Sequence, residues 1–457
     1  MSRVVVLGAG PAGLASALTL ARKGHVVTVL ERDPAEQVGT DPFRWERRGV
    51  PHFRQPHMLI PRACKELREH FPEVYAALLS AGADEIDLRS RLDTQEPGDE
   101  DLRYLAVRRP VLEGALRAAV LAEPGVDVRF GAVVSGLLHD AGRVLGVIVG
   151  GEQVRAEVVV DAMGRRSAVA QWLTEADWPV PPQEVSQCGV IYYSRYYRVR
   201  QGQALPTGPW MLGPRGDLGY LGFATFPGDN GTFAALLSIP TGVPGWKVLK
   251  DDVVFDAAVA LIPQLRLWVD PDLVEPLTPV LAMAGLTNTL RREVQEPPEG
   301  LHSVGDALSH TDPTLAHGIA FLLLEAVALA AALEQPETAH AAFGAATGPA
   351  LRERYDLATA LGSQRHQSWT DGGVDMAHKD GAYALFSLAA AGAVASVDQR
   401  VLRVFVRRSG LLDSTAVLDD DVALQDRIER LFGELLAQPR PPSGPGQEDL
   451  RAALRGA

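Results

Sequence analysis

The sequence predicts an α/β protein: a Rossmann-like nucleotide-binding domain, discontinuous along the chain, an antiparallel-sheet domain inserted into it, and a helical C-terminal region. Three observations predict this. A β-branched run, a glycine-rich turn and a helical pattern open the chain. Aromatic, alternating segments fill its middle, and a short apolar strand with a very apolar helix returns after residue 300. The boundaries that follow are 1–176 and 293–346 for the two parts of the nucleotide-binding domain, 177–292 for the β-rich domain, 347–437 for the helical region and 438–457 for a flexible tail.

In order, Val4 to Leu7 reads as a strand, Gly8 to Gly13 as a turn, Leu14 to Arg22 as a helix and Val26 to Leu30 as a second strand, a βαβ unit. Asp41 to Gln55 is rich in charge, Pro and Gly and reads as a loop able to reach over a ligand; a helix follows around Arg62 to Phe71. Arg109 to Leu121 is helical. Val126 to Arg129, Arg143 to Val149 and Val158 to Val160 are strands expected to complete the nucleotide-binding sheet. Tyr220 to Phe226 and Thr232 to Ile239 form a hairpin around Pro227-Gly228-Asp229-Asn230-Gly231. Tyr192, Tyr193, Tyr196 and Tyr197 lie on one strand, so at most half of them face any one pocket. Leu301 to Val304 returns to a buried strand, Ile319 to Leu333 is an apolar helix, and the Pro/Gly-rich Gln438 to Gln447 favours a loose tail.

At 457 residues the chain has room for two or three domains and an interior that encloses ligands. Hydrophobic residues at 46% and charged residues at 22% place it among globular proteins, and a net charge of −13 argues against nucleic-acid partners. Cys64 and Cys188 are far apart and without metal-ligand spacing, so both read as reduced core thiols and no metal site is expected. The glycine-broken apolar start reads as a buried strand and not a signal peptide. Ala382 to Val397 falls short of the roughly 20 residues that span a bilayer and reads as a buried helix, so no integral membrane association is expected and the cytoplasm is the default address.

Gly8-Ala9-Gly10-Pro11-Ala12-Gly13 follows a strand and opens a helix. Gly8 permits the tight turn, Gly10 lets backbone approach a pyrophosphate at the helix N-terminus, and Gly13 lets helix pack on strand. Glu31, 18 residues after Gly13 and followed by Arg32, ends the second strand and suits ribose hydroxyls. The pattern by itself does not separate FAD from NAD.

Four further segments extend it: Gly49-Val50-Pro51-His52-Phe53-Arg54-Gln55-Pro56-His57, Arg109-Pro110-Val111-Leu112-Glu113, Asp161-Ala162-Met163-Gly164-Arg165-Arg166-Ser167, and Gly305-Asp306-Ala307 with Asp312-Pro313 and Gly318-Ile319 behind it. With these the chain resembles the FAD-dependent monooxygenases of the p-hydroxybenzoate hydroxylase type, in their bacterial aromatic hydroxylase and epoxidase branch, up to about Leu333. The resemblance implies an FAD-binding domain whose contacts include Gly8, Gly10, Pro11, Ala12, Gly13, Glu31, Arg32, Arg54, Arg109, Asp161, Gly164, Gly305, Asp306, Pro313, Gly318 and Ile319. It also implies a flavin and substrate pocket for which Arg54, His57, His310, Pro313 and His317 are the candidates. Asp306 would accept from the ribityl hydroxyls, and the helix end at Gly318 would face the flavin N1–C2 edge.

The implied activity is insertion of one oxygen atom from O2, by hydroxylation or epoxidation through a flavin C4a-hydroperoxide, into a hydrophobic, electron-rich small molecule of secondary metabolism. The cofactor carries the hard step. NAD(P)H would supply electrons directly or through a partner flavin reductase, since no second glycine fingerprint is present. Three other readings share the fold: a reductase or dehydrogenase of the geranylgeranyl reductase type, a flavin-dependent halogenase, and a non-catalytic binding protein. The halogenase pattern Phe-x-x-Pro-x-x-Ser-x-Gly would meet His310, Pro313, Ala316 and Gly318, and no Trp-x-Trp-x-Ile-Pro segment occurs.

Overall fold

A computed structural model of the chain describes residues 1–35, 44–47, 49–50, 52–206, 212–292, 294, 296–370, 383–438 and 444–455. Parts of the loop predicted over Asp41 to Gln55, Pro51 among them, Ala382 at the start of the predicted apolar helix, and residues 439–443 and 456–457 of the predicted tail lie outside these.

The chain's first strand, Arg3–Leu7, is the centre of a five-stranded parallel sheet, flanked by Val26–Glu31 and then Val126–Phe130 on one side and by Val158–Asp161 and then Leu301–Ser303 on the other. A strand from beyond residue 300 thus completes a sheet begun at residue 3. Parallel neighbours need crossovers, and the sheet's Val and Leu runs are buried because both faces are covered. One face packs on the first helix, Pro11–Arg22, on Arg109–Ala122 and on the motif helix, Gly318–Ala332. On the other, Val5, Leu7 and Val159 meet Val144, Val147 and Trp172.

That second covering layer corrects one strand assignment. Arg143–Val149 does not join the parallel sheet; it pairs antiparallel with Val134–Asp140 and Glu152–Arg155. Tight turns join these three strands, and a short turn can only build an antiparallel neighbour.

The second domain centres on Val190–Val199, which pairs with Thr232–Pro240, itself paired with Gly222–Pro227 and through it with Arg215–Asp217. Alternation divides this strand. Tyr193 and Tyr197 enter a core with Phe233, Trp246, Phe255 and Trp268, while Tyr192 faces the opposite side with Leu236 and Trp369. Arg108 and Asp229 hold this domain to the first: the guanidinium donates to both carboxylate oxygens (Nε–Oδ1 2.8 Å, Nη2–Oδ2 2.5 Å) in a buried pair at the hairpin turn.

Beyond the motif helix runs the long helix Ala339–Thr370, followed by Tyr383–Val394, Gln399–Ser409 and Val422–Ala437. The tail assignment is also corrected where the chain is described. Gln447–Leu454 is helical, and Leu450 and Leu454 are buried in the aromatic core of the second domain, so apolar spacing outweighs the Pro/Gly-rich composition before it. Among the described residues no helix is long and apolar enough to cross a membrane.

Candidate active site

The glycine-rich turn is built as its residue types require. Gly8 has φ +101°, and a Cβ on it would lie 2.8 Å from the Ala162 carbonyl oxygen; a Cβ on Gly13 would lie 1.9 Å from the Gly8 carbonyl oxygen. A Cβ on Gly10 meets nothing within 4 Å. Gly8 and Gly13 are therefore needed by the protein's own packing, whereas Gly10 opens onto space. The first helix starts there with Pro11, with no side-chain cap and no acidic residue in its first turn, so its N–H donors and positive pole face that space. A helix N-terminus open in this way is a cradle that could hold an anion.

Glu31 is buried beside it. Its carboxylate accepts from the backbone N–H of Ala9 (2.8 Å) and Asp33 (2.9 Å), and from Arg47 (2.5 Å). A carboxylate has about four acceptor sites, which leaves capacity for a ribose hydroxyl. Arg47 also bonds Asp33, the Ala9 carbonyl and Glu113, and Glu113 in turn accepts from Arg109 (3.3 Å). Burial opposes the Arg47 charge, but Glu113 and Glu31 raise its pKa overall.

Arg54, the loop arginine expected at the cofactor, points elsewhere. Its guanidinium donates to the Trp45 carbonyl and pairs with Glu46, and it does not line the cavity described below. Among the described residues of this loop, Arg47 is the arginine that reaches the cradle. Four arginines fall between residues 44 and 54, and nothing in their spacing separates them.

The other cofactor segments converge on the same turn. Asp161 accepts from Ser167 Oγ (2.6 Å) and Met163 N–H (3.1 Å), which braces the turn carrying Ala162 and Gly164. Gly305 stands so close to the first helix that a Cβ there would be 2.7 Å from the Ala12 Cβ. Asp306 pairs with Arg165 (2.9 Å) and lines the cavity; although burial works against its charge, Arg165, His52 and His310 hold its pKa well below the usual carboxylate range. Arg32, Gly164, Pro313, Gly318 and Ile319 also line this cavity, while Gly13, Asp161 and Gly305 shape it from behind.

His57 and His310 face the cavity, joined by His52. His57 Nδ1 lies 2.7 Å from the Gln55 carbonyl, and burial, with Arg109 nearby, lowers it to about 4. Burial likewise lowers His310 to about 4, with its Nδ1 3.3 Å from the Asp306 carbonyl, and His52 to about 2. All three imidazoles are neutral near pH 7, able to donate or accept but not to add charge. His317 does not belong with them: it faces away from the cavity, its Nε2 3.2 Å from the Ser409 carbonyl. Leading into the motif helix, it packs against the C-terminal helices instead.

The loop through Pro313 is held by a buried network. Asp312 accepts from Tyr192 (2.6 Å), Thr314 N–H (2.9 Å) and Arg365 (2.6 Å), and Arg365 reaches Thr314 Oγ1 (2.7 Å). Tyr192 and Arg365 come from the second domain and the long helix. Tyr192 is the member of the strand tyrosines that reaches the cavity, and Arg365 is not marked as functional by its local sequence.

These parts line one cavity of about 1600 Å³. It runs from Glu31 and Gly10 past Asp306 and Gly318 to Phe223 and Leu236 of the second-domain sheet, and ends in an apolar lobe with Leu388, Ala393, Phe405 and Phe432 of the C-terminal helices. Sites for a single small ligand are about 300–1,000 Å³. This one has room for a dinucleotide and an organic molecule together.

Residues 3–171 match the family described as FAD dependent oxidoreductase. Protein Rv3254 of Mycobacterium tuberculosis is 26% identical over 361 residues, 73% of this chain and 73% of its own length. Over 191 residues, 40% of this chain, a rifampicin monooxygenase of Streptomyces venezuelae is 31% identical (36% of its length) and a digeranylgeranylglycerophospholipid reductase of Methanosarcina acetivorans 27% identical (43% of its length). Among solved structures, a triple mutant of the flavin-dependent brominase Bmp2 superposes with TM-score 0.61 at 17% identity, covering 95% of this chain and 98% of its own. PqsL, a probable FAD-dependent monooxygenase from Pseudomonas aeruginosa, superposes with TM-score 0.58 at 16% identity, covering 81% and 98%. Residues 3–171 are thus similar to the FAD-dependent oxidoreductases, and the chain has the fold shared by a probable FAD-dependent monooxygenase and a flavin-dependent brominase.

Proposed function

We propose that the protein is an FAD-dependent monooxygenase that inserts one oxygen atom from O2 into a hydrophobic, electron-rich small molecule. The observation that carries this reading is the single cavity joining the dinucleotide cradle to the second-domain sheet and the apolar lobe. When bound, FAD supplies the two-electron and oxygen chemistry. Gly10 and the N-terminus of the first helix hold its pyrophosphate, Glu31 its adenosine ribose, and Asp306 the ribityl chain, with the ring edge at Gly318. Arg109, braced on Glu113, supports the cofactor side of the cavity.

The organic molecule lies between the ring site and the second-domain sheet, its apolar body toward Phe405 and Phe432. His57 and His310, neutral at pH 7, offer hydrogen bonds to a substrate hydroxyl without drawing an ionised group into the cavity. The aliphatic lining excludes water, which an oxygen-transfer site requires. NAD(P)H supplies the electrons, at the flavin or through a separate reductase, in the cytoplasm.

Purified protein reconstituted with FAD and supplied with NAD(P)H, with or without a flavin reductase, is expected to consume O2 faster with fused-ring phenols present and to give products heavier by one oxygen. Products changed by two hydrogens, with no added O2 uptake, would assign a reductase. Bromide-dependent brominated products would assign a halogenase.

A further inference from the structure

The long helix sends two arginines toward the loop before the motif helix. Arg354 and Arg365 are eleven residues apart, about three turns, and so lie on one face. Arg365 is neutralised by Asp312. Arg354 is buried, and its Nε donates to Thr311 Oγ1 (3.0 Å) while its guanidinium lies 4.8 Å from the centre of the Phe321 ring. Its two Nη atoms have no hydrogen-bond partner, and no carboxylate pairs with it, among the described residues.

The nearby carboxyl groups are otherwise engaged. Asp306 is paired with Arg165; Glu325 accepts from the Gly305 N–H, and burial raises it to about 8, so it is mostly protonated at neutral pH. Arg354 lines the cavity, and a Cβ built on Gly318 would be 4.0 Å from its Nη2. The guanidinium therefore stands at the N-terminus of the motif helix, whose first turn has neither an acidic residue nor a side-chain cap. Two sources of positive potential converge, and Asp306, the ionised carboxylate that acts on Arg354, is held in a direct pair by Arg165. A buried, unpaired cation costs several kcal/mol, so such a site is built for an anion that arrives with a ligand.

We propose that Arg354 is the cation that faces the pyrimidine edge of the flavin, N1 and the C2 carbonyl, and favours the reduced form of the cofactor. This rests on the FAD reading above, in which the cavity runs from the adenosine end at Glu31 past Asp306 to the ring at Gly318. On reduction the flavin takes up a hydride from NAD(P)H, two electrons with one proton, and N1 is left unprotonated, so one negative charge appears along N1–C2–O. A fixed guanidinium there binds the reduced cofactor more tightly than the oxidised one. Its removal shifts that preference.

The test uses the full chain with FAD bound. Wild type, Arg354→Met and Arg354→Lys are compared for oxidised FAD affinity, two-electron reduction potential by dye equilibration, and N1 protonation of the reduced flavin from its absorbance against pH. Arg354→Met is expected to bind oxidised FAD within a few-fold of wild type but to lose about tenfold to a hundredfold of the preference for reduced over oxidised FAD. That is a fall of about 30–60 mV. The N1 pKa should rise, and Arg354→Lys should recover much of both.

Should the Met variant not fold, Thr311→Val frees the guanidinium without removing it and should give a smaller shift in the same direction. Unchanged potential and N1 pKa in an FAD-loaded variant, or a loss confined to acidic substrates, would overturn the assignment. A wild-type protein that takes up no FAD would instead overturn the reading on which it rests.

Discussion

Arg108 and Asp229 show how a pair of residues fixes the geometry of two domains. The pair is buried, bidentate and reinforced by the Arg108 N–H donating to Asp229 Oδ1 (2.9 Å). Asp229→Asn removes the carboxylate charge from this buried bidentate pair and is expected to destabilise the protein by about 3–5 kcal/mol in urea unfolding. The two loop arginines should separate in the same assay. Among the described residues the Arg54 guanidinium bonds a carbonyl and an exposed Glu46, and Arg54→Met is expected to change stability by less than about 0.5 kcal/mol, with FAD affinity retained. Arg47→Met removes the guanidinium that Glu31 and Glu113 share, and both stability and FAD affinity should fall.

Among elements, the turn into the first helix divides packing from binding. Gly13→Ala would drive a methyl group into the Gly8 carbonyl, so the turn must open and thermal stability should drop sharply even without cofactor. Gly10→Ala meets open space at φ −78°, an ordinary backbone conformation. It should fold with a melting temperature near wild type and bind FAD at least tenfold more weakly in a fluorescence titration, because the methyl group occupies the pyrophosphate cradle. Equal FAD affinity would move the pyrophosphate away from Gly10. The long helix Ala339–Thr370 is the other decisive element: one face supplies Arg354, Leu361, Arg365 and Trp369 to the cavity.

At the scale of the whole molecule, burial sets the pH response. His52, His57, His302, His310 and His317 are lowered to about 2, 4, 3, 4 and 3, with burial the leading cause at each. In the unfolded chain they titrate near ~6.5. The unfolded state therefore binds more protons as pH falls below that value, and folding stability declines toward pH ~4. Glu325 acts in the opposite sense. Raised to about 8 from ~4.3 unfolded, its contribution is full at low pH and is lost as pH rises through 8. Melting temperature should peak near neutrality, fall steeply on acidification, and decline mildly between pH 6.5 and 8.5. Glu325→Gln should flatten the decline above pH 6.5 and steepen the loss on acidification below it, where Glu325 opposes the histidines. A melting temperature constant from pH 6.5 to 4.5 would contradict the neutral buried histidines.

The local sequence determined the cradle at Gly10, because its turn, its helix start and Glu31 lie within some thirty residues and follow from glycine sterics and strand periodicity. Gly305 and Asp306 were legible for a related reason, since a short motif imposes its own backbone. Arg47, Arg354 and Arg365 were not legible. Their roles depend on which distant carboxylate, hydroxyl or helix end each one meets, and the chain around them carries ordinary helix or loop patterns. Arg54 and His317 had suitable neighbours in sequence yet point away from the cavity. Arg143–Val149 had a strand's composition, but connection length decided which sheet received it. The sequence by itself determined a glycine-rich turn that opens at Gly10 and a buried acid, Glu31, beside it. Only the tertiary structure decided that the cradle opens into one cavity with the second-domain sheet and the C-terminal helices, because side-chain direction and charge pairing are settled by packing between segments hundreds of residues apart.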